Sequence, residues 1–251
     1  MQRKGKQMKI AVFGAKGRMG QEICLAIDAA ADMELVAALD AGDDREAALG
    51  ADVAIDFTHP DVVMDNISWC LSHGMHVVVG TTGMSEERIA TVRSWLVAHP
   101  GVNALIASNF SIAAVLMMAF AAKAAPFFES AEIIELHHPG KADAPSGTAA
   151  NTARMMAEAR SQAGCPVMPD ATTHETDGAR GADVAGVHVH SVRLTGLFAH
   201  QEVVLGNPGE MLTIRDDGFQ RSAYMPGILA GIRAVMERPG LTLGIEEILG
   251  I

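Results

Sequence analysis

KIAVFGAKGRMG, residues Lys9 to Gly20, is an apolar run that ends in a glycine-rich turn and leads straight into a helical pattern. In that setting the three glycines have separate uses. Gly14 permits the tight turn, Gly17 lets the backbone approach a pyrophosphate, and Gly20 lets the helix pack closely, with its N-terminus facing the phosphates. The spacing is GxxGxxG and not GxGxxG, so the motif depends on its context. Asp40 supplies that context: it closes the next apolar run, where an acid would accept hydrogen bonds from the adenosine ribose hydroxyls. The alternative is that these glycines only make a turn. Lys16 and Arg18 are either solvated charges or partners for a 2′-phosphate that Asp40 would repel. The loop therefore permits NADH and NADPH together.

Outward from this stretch, short β-branched runs alternate with helical patterns: ELVAALD from Glu34, VAIDFT from Val53, HVVVG from His76 and NALIAS from Asn103. Ile23, Ala26, Ile27 and Ala30 fall at helical spacing between the first two. Regular alternation of this kind predicts an α/β fold, a parallel sheet with helices on both faces. Ligands of such sheets bind at the carboxyl edge, where Asp56, Gly80-Thr81-Thr82-Gly83 and Ala107-Ser108-Asn109-Phe110 all fall. Each of these loops could equally be an ordinary turn.

After Asn109 the pattern changes. A long apolar helix from Ser111 to about Phe128 leads to AEIIELHH and to a helix beginning near Ser146. A Gly-, Pro- and Asp-rich region from Gly164 to Gly186 follows, then the strand-like runs VHVHSVRL, HQEVVL and MLTIR. These elements predict a second, α+β unit on a mixed or antiparallel sheet. A final helix is expected from about Ser222 to Glu237, with Pro226 in its first turn.

Within this second part, ELHHPGKADAPSGTA (Glu135 to Ala149) reads as a pocket for an anion that must be protonated. An extended chain puts Glu135 and His137 on one face and His138 on the other, so the two histidines have different jobs. Lys141 follows the Pro139-Gly140 turn, and Ser146 is placed to cap the next helix. Ala149 stands where a capping box would need Glu or Gln. The helix start is thus expected to keep free N–H groups, which with the Thr148 hydroxyl and the helix dipole suit a carboxylate. A polar strand end is the plainer alternative. His188 and His190 have metal-ligand spacing, but no nearby Cys or acidic triad completes a site. His174 and His200 follow no usable pattern.

Composition narrows the function classes. A chain of 251 residues allows one large α/β domain or two smaller ones, and 49% hydrophobic content argues for a globular protein. With 19 Lys and Arg against 30 Asp and Glu, the net charge of −11 counts against nucleic acid. The three cysteines, Cys24, Cys70 and Cys165, form no CxxC pair, which fits a reducing cytoplasm. Lys123 and Pro126 interrupt the longest apolar stretch, which falls short of the ~20 residues that cross a bilayer. No secretory signal is visible.

Taken together, these motifs resemble the family of 4-hydroxy-tetrahydrodipicolinate reductases, long called dihydrodipicolinate reductases, of bacterial lysine and diaminopimelate synthesis. The resemblance runs from Met8 onward and rests on GAKGRMG, DFTHP at Asp56, GTTG at Gly80, SNFS at Ser108 and above all ELHHPGKADAPSGTA. GARGAD from Gly178, HSVR from His190 and RSAYMPG from Arg221 are similar as well. The resemblance implies a Rossmann-type doubly wound parallel sheet over residues 8–110 and 219–251. Into it is inserted an α+β substrate-binding and tetramerisation domain on an open mixed sheet over residues 111–218. Residues 1–7 lie outside the resemblance and, being polar and basic, are expected to form a solvated, disordered extension. The resemblance implies a cytoplasmic homotetramer, with no membrane or nucleic-acid partner, that passes hydride from NADH or NADPH to a small cyclic imine dicarboxylate. His137 would be the proton donor and Lys141 the second catalytic group, while His138, Gly147 and Thr148 would grip the carboxylates. Gly14, Ala15, Lys16, Gly17, Arg18, Met19, Asp40, Gly80, Thr81, Thr82, Ala107, Ser108, Asn109 and Phe110 would line the cofactor, and no metal is implied. Gly140 departs from the pattern, standing where many relatives carry a basic residue, which bears on carboxylate binding and not on the reaction. Two other readings remain at this point: a different NAD(P)-dependent reductase of amino-acid biosynthesis, and a non-catalytic NADH-sensing protein. The first, if it acted on an aspartate-derived aldehyde, would want a nucleophilic Cys. The second would want a partner-binding surface.

Overall fold

A computed structural model describes residues 7–251. The extension expected over residues 1–7 lies outside them except for Gln7, whose side-chain amide donates to the carbonyls of Ala31 (3.1 Å) and Met33 (3.0 Å). The chain forms two compact units, residues 1–112 with 224–251 and residues 113–223. The second boundary falls a few residues later than 218/219. The turn at Arg221–Tyr224 belongs mainly to the inserted unit, where the Arg221 guanidinium lies 5.5 Å from the Phe198 ring centre.

The first unit begins with β1 (Met8–Phe13), α1 (Arg18–Ala29), β2 (Met33–Leu39), β3 (Val53–Asp56) and α2 (Val63–Ser72). It continues through β4 (His76–Val79), α3 (Glu86–Ala98) and β5 (Ala104–Ile106). Strand order places β2, β1, β3, β4 and β5 side by side, all parallel. Because helices cover both faces, these strands are apolar almost throughout: Ile10, Ala11, Val12, Val53 and Ile55 are wholly buried. One face carries Phe13, Ala54, Val77 and Ile106 against Ile67, Leu71 and Val92 of α2 and α3. The strand order reverses between β1 and β3, the crevice where open α/β sheets bind ligands.

Residues 113–223 form the second unit, which is entered by α4 (Ile112–Ala124). Its sheet runs β10 (Glu210–Gly218), β9 (Ala199–Asn207), β6 (Ser130–His137), β8 (Val187–Arg193) and β7 (Ala182–Val184). The sheet is mixed: β6 and β8 are parallel, and the other neighbours are antiparallel. β7 lies inside the stretch read as a Gly-, Pro- and Asp-rich loop, and three residues are too few to show alternation. The helix α5 (Gly147–Gln162) buries Ala149, Ala153 and Met156. Its buried Arg160 donates to the carbonyls of Ala125 (3.1 Å), Phe128 and Pro166 (3.0 Å), a backbone-satisfying role for a charge that would otherwise be costly to bury.

The chain then returns to the first unit as α6 (Met225–Val235), β11 (Leu241–Leu243) and α7 (Glu246–Leu249). Pro226 sits in the first turn of α6, as expected. β11 joins the sheet parallel to β5 as a sixth strand that the sequence reading did not contain. Asn103 explains its placement. Its amide donates to Val235 O (2.9 Å) and its carbonyl oxygen accepts from Gly240 N (3.0 Å), which ties both ends of the α6–β11 link to the start of β5. Among the described residues no helix is long and apolar enough to cross a membrane.

Candidate active site

In the first unit the glycine-rich loop has the shape its sequence requires. Gly14 has a φ of +83°, and a β-carbon there would overlap Phe57 O, while one at Gly20 would overlap the carbonyl oxygen of Gly14. Gly17 stands at the N-cap of α1, which has no side-chain cap and no acid in its first turn. Its N-terminus therefore offers N–H groups and positive partial charge to a phosphate. A cavity of about 640 Å³ opens at the crevice between β1 and β3, lined among others by Gly14, Lys16, Gly17, Asp40, Arg45 and Thr58. The Asp40 carboxylate accepts from Lys16 N (2.8 Å) and Ala41 N (2.8 Å), which fixes it at the end of β2. The Lys16 ammonium bonds Asp43 (3.2 Å), and Arg45, which no motif pointed to, supplies a second cation on the cavity wall.

A second cavity of about 620 Å³ in the same unit is lined by Thr81, Thr82, Ala107 and Ser108 together with Leu243, Gly244 and Glu246 from the C-terminal return. Ala15, Arg18, Met19, Gly80, Asn109 and Phe110 line neither cavity. Ala15 and Phe110 are buried, and Arg18 and Met19 open α1. Gly80 leaves room for the Phe57 ring, which in turn lies 5.7 Å from that of Phe110. Asp56, nearly buried, binds these loops together. Its carboxylate accepts from Thr81 Oγ1 (2.5 Å), Thr58 Oγ1 (2.7 Å) and Asn66 Nδ2 (2.8 Å).

In the second unit β6 puts Glu135 and His137 on one face, as the period of two requires. Glu135 is fully buried, and all its partners donate to it. His137 Nδ1 lies 2.6 Å from Oε2, Arg193 lies 2.8 Å from each oxygen, and Ser146 N lies 3.1 Å from Oε1. Burial pushes the Glu135 carboxyl up, but hydrogen bonds from His137, Arg193 and Ser191, with the charge of Arg193, outweigh it and hold the group at about 2. An ionised acceptor at Nδ1 fixes the imidazole with its proton on that nitrogen, leaving Nε2 as the atom for proton exchange. Arg193 arrives from β8, whose parallel register sets it directly beside His137.

Beyond the strand, Lys141 N donates to His138 O (3.2 Å), closing the Pro139-Gly140 turn. A β-carbon on Gly140 would come within 3.3 Å of the His138 ring, so the missing side chain gives that ring its place. Ser146 caps α5 by accepting from Ala149 N (3.1 Å). The expectation of free N–H groups at this helix start needs correction: Gly147 N donates to Asp143 Oδ2 (3.1 Å), and Asp143 Oδ1 receives the Lys141 ammonium (2.5 Å). A short carboxylate side chain at the loop tip reaches both donors.

The HxH pair has local partners. His190 lies 2.6 Å from Glu132, which also takes Arg180, and His188 lies 3.6 Å from Asp170. Among the described residues no group of three or more His, Cys, Asp or Glu is placed to hold a metal.

A parallel α/β unit with a glycine-rich, uncapped helix start, followed in the chain by a unit built on a mixed sheet, is the fold of the nicotinamide-dinucleotide-dependent reductases. The chain belongs to the dihydrodipicolinate reductase family: residues 8–110 match its N-terminal part and residues 113–249 its C-terminal part. It is 62% identical over 245 residues to the 4-hydroxy-tetrahydrodipicolinate reductase of Thermobifida fusca, covering 97% of this chain and 100% of that one. Identity to the enzyme of the same name from Cutibacterium acnes is 60% over 244 residues, 97% of this chain and 99% of the other. The solved structure of dipicolinate-bound dihydrodipicolinate reductase from Paenisporosarcina sp. TG-14 is 36% identical, with a TM-score of 0.84 over 96% of this chain and 99% of that one.

Proposed function

We propose that this chain reduces 4-hydroxy-tetrahydrodipicolinate, through its cyclic imine, to tetrahydrodipicolinate and water with NADH or NADPH. The nicotinamide, when bound, supplies the hydride. The chain's own residues hold the dinucleotide by the α1 N-terminus and Asp40, and they receive a dianion and deliver a proton. The observation that carries this reading is the buried Glu135 carboxylate on His137 Nδ1, 2.6 Å away, which presents Nε2 as the proton-exchanging atom. Reduction of a conjugated imine leaves electron density that must be protonated, and His137 is the donor, with Lys141 as the second acid. His138, Gly147 N–H and Thr148 bind the carboxylates at the start of α5, where the helix dipole favours negative charge.

We further propose that the chain assembles as a homotetramer through its second unit. There β10 is an edge strand with Met211 and Leu212 exposed, an apolar strip that pairing would cover. The free Cys24, Cys70 and Cys165 suit a cytoplasmic setting. Steady-state NADH oxidation with substrate generated by the preceding synthase tests the assignment. Turnover dependent on that substrate is expected, and NADH binding without turnover would refute it.

A further inference from the structure

Lys141, assigned above as the second acid, and the Gly147 N–H, assigned to a substrate carboxylate, are already engaged by one side chain of the protein itself. Asp143 places one carboxylate oxygen on the Lys141 ammonium (2.5 Å) and the other on the Gly147 N–H (3.1 Å). A planar carboxylate bridging a cation and a helix N-terminus is the pose expected of a ligand carboxylate at the same place. We propose that Asp143 is a built-in stand-in for a substrate carboxylate, occupying the anion cradle of the free protein and swinging out when the dicarboxylate enters. The proposal rests on the assignment of Lys141 and Gly147 to the substrate.

Two further observations support an exchange of side chains. The backbone of Asp143 is pinned, since its carbonyl accepts from Arg193 Nη2 (2.7 Å), and Arg193 is itself held by the buried Glu135. The side chain is 52% exposed, so rotation takes it into water without moving the loop. Lys141 is only 23% exposed and stays in the cradle. The Asp143 carboxyl is ionised at working pH: burial raises it, but the Lys141 hydrogen bond and charge and the Gly147 N–H bring it below the usual carboxylate range. The exchange therefore swaps one carboxylate for another on the same two donors. It keeps Lys141 paired and the N–H satisfied whether or not substrate is bound, at the cost of some affinity.

The apparent affinity of a site scales with the fraction of molecules in which it is open. If Asp143 fills the cradle about nine-tenths of the time, removing it tightens dicarboxylate binding by about tenfold. The test is calorimetric titration of wild type, Asp143→Ala and Asp143→Asn with pyridine-2,6-dicarboxylate, beside steady-state KM and kcat. Both variants are expected to bind it about tenfold more tightly, with KM lowered in proportion, which loss of a merely structural residue would not produce. A crystal structure of the wild-type complex should show the Asp143–Lys141 contact broken. Unchanged or weaker binding by the folded variants, or a contact that persists in the complex, overturns the proposal while leaving the reductase reading intact. A wild type that neither binds the probe nor turns over substrate removes both.

Discussion

Replacing Glu135 by Gln tests whether the buried carboxylate sets both the stability of the second unit and the state of His137. Every group around Glu135 donates: His137 Nδ1 and Arg193 on Oε2, Arg193 and Ser146 N on Oε1. Either orientation of a glutamine amide therefore points its NH2 at two donors and leaves Arg193 short of its counter-charge. The magnitude follows from the carboxyl's proton affinity. A group held at about 2 instead of 4.5 contributes about 3 kcal/mol to folding at neutral pH, since a tenfold change is worth about 1.4 kcal/mol. Because the folded-state value is the lower one, this stability is fully present above 4.5 and is lost as pH falls towards about 2. Glu135→Gln is expected to melt about 6 to 12 °C lower at pH 7 and to lose that acid-side dependence. The imidazole also loses its fixed acceptor at Nδ1, so kcat should fall by about 100-fold. Thermal melts across pH and NADH-oxidation kinetics read both effects. A variant as stable as wild type at neutral pH, with kcat within about threefold, would refute the reasoning.

Removing the acids themselves, His137→Ala or Lys141→Ala, should each lower turnover by ~100-fold or more with NADH affinity unchanged, measured by steady-state kinetics and fluorescence titration. Gly20→Ala forces a β-carbon onto the Gly14 carbonyl, so it should destabilise the first unit by about 2 kcal/mol and abolish NADH binding, read by melting and by NADH fluorescence. NADH and NADPH should differ in kcat/KM by no more than about tenfold, or ~1.4 kcal/mol, because Asp40 faces the same cavity as Lys16 and Arg45. A hundredfold bias would exclude dual use. Arg45→Ala should then penalise NADPH more than NADH.

The parts of the molecule legible in the sequence are those whose cause is local. KIAVFGAKGRMG announces a strand, a turn and an uncapped helix start because the glycines, the apolar run and the missing cap act within a dozen residues. Ser146 declared its cap, and the period of two put Glu135 beside His137. What stayed hidden depends on partners far along the chain. Arg193 reaches Glu135 only because β6 and β8 pair in parallel, a register that nothing in HSVR reveals. β11, three residues long, is placed by the bonds Asn103 makes to both ends of the link that precedes it, not by its own pattern. Asp143 was passed over for a different reason. A loop aspartate is ordinarily solvated, and only its reach to Lys141 and Gly147 gives it a role.

The Asn103 link also bears on how the molecule is made. Asn103 leaves the ribosome well before Val235 and Gly240, the two residues that satisfy its side chain, and the whole of the second unit is synthesised in between. Since domains fold as units while the chain emerges, the second unit can be finished while the first still lacks its sixth strand. Premature termination anywhere before Gly240 thus releases a chain with an open β5 edge and an incomplete nucleotide domain. The second cavity of this unit, walled in part by Leu243, Gly244 and Glu246, is then left open on that side as well.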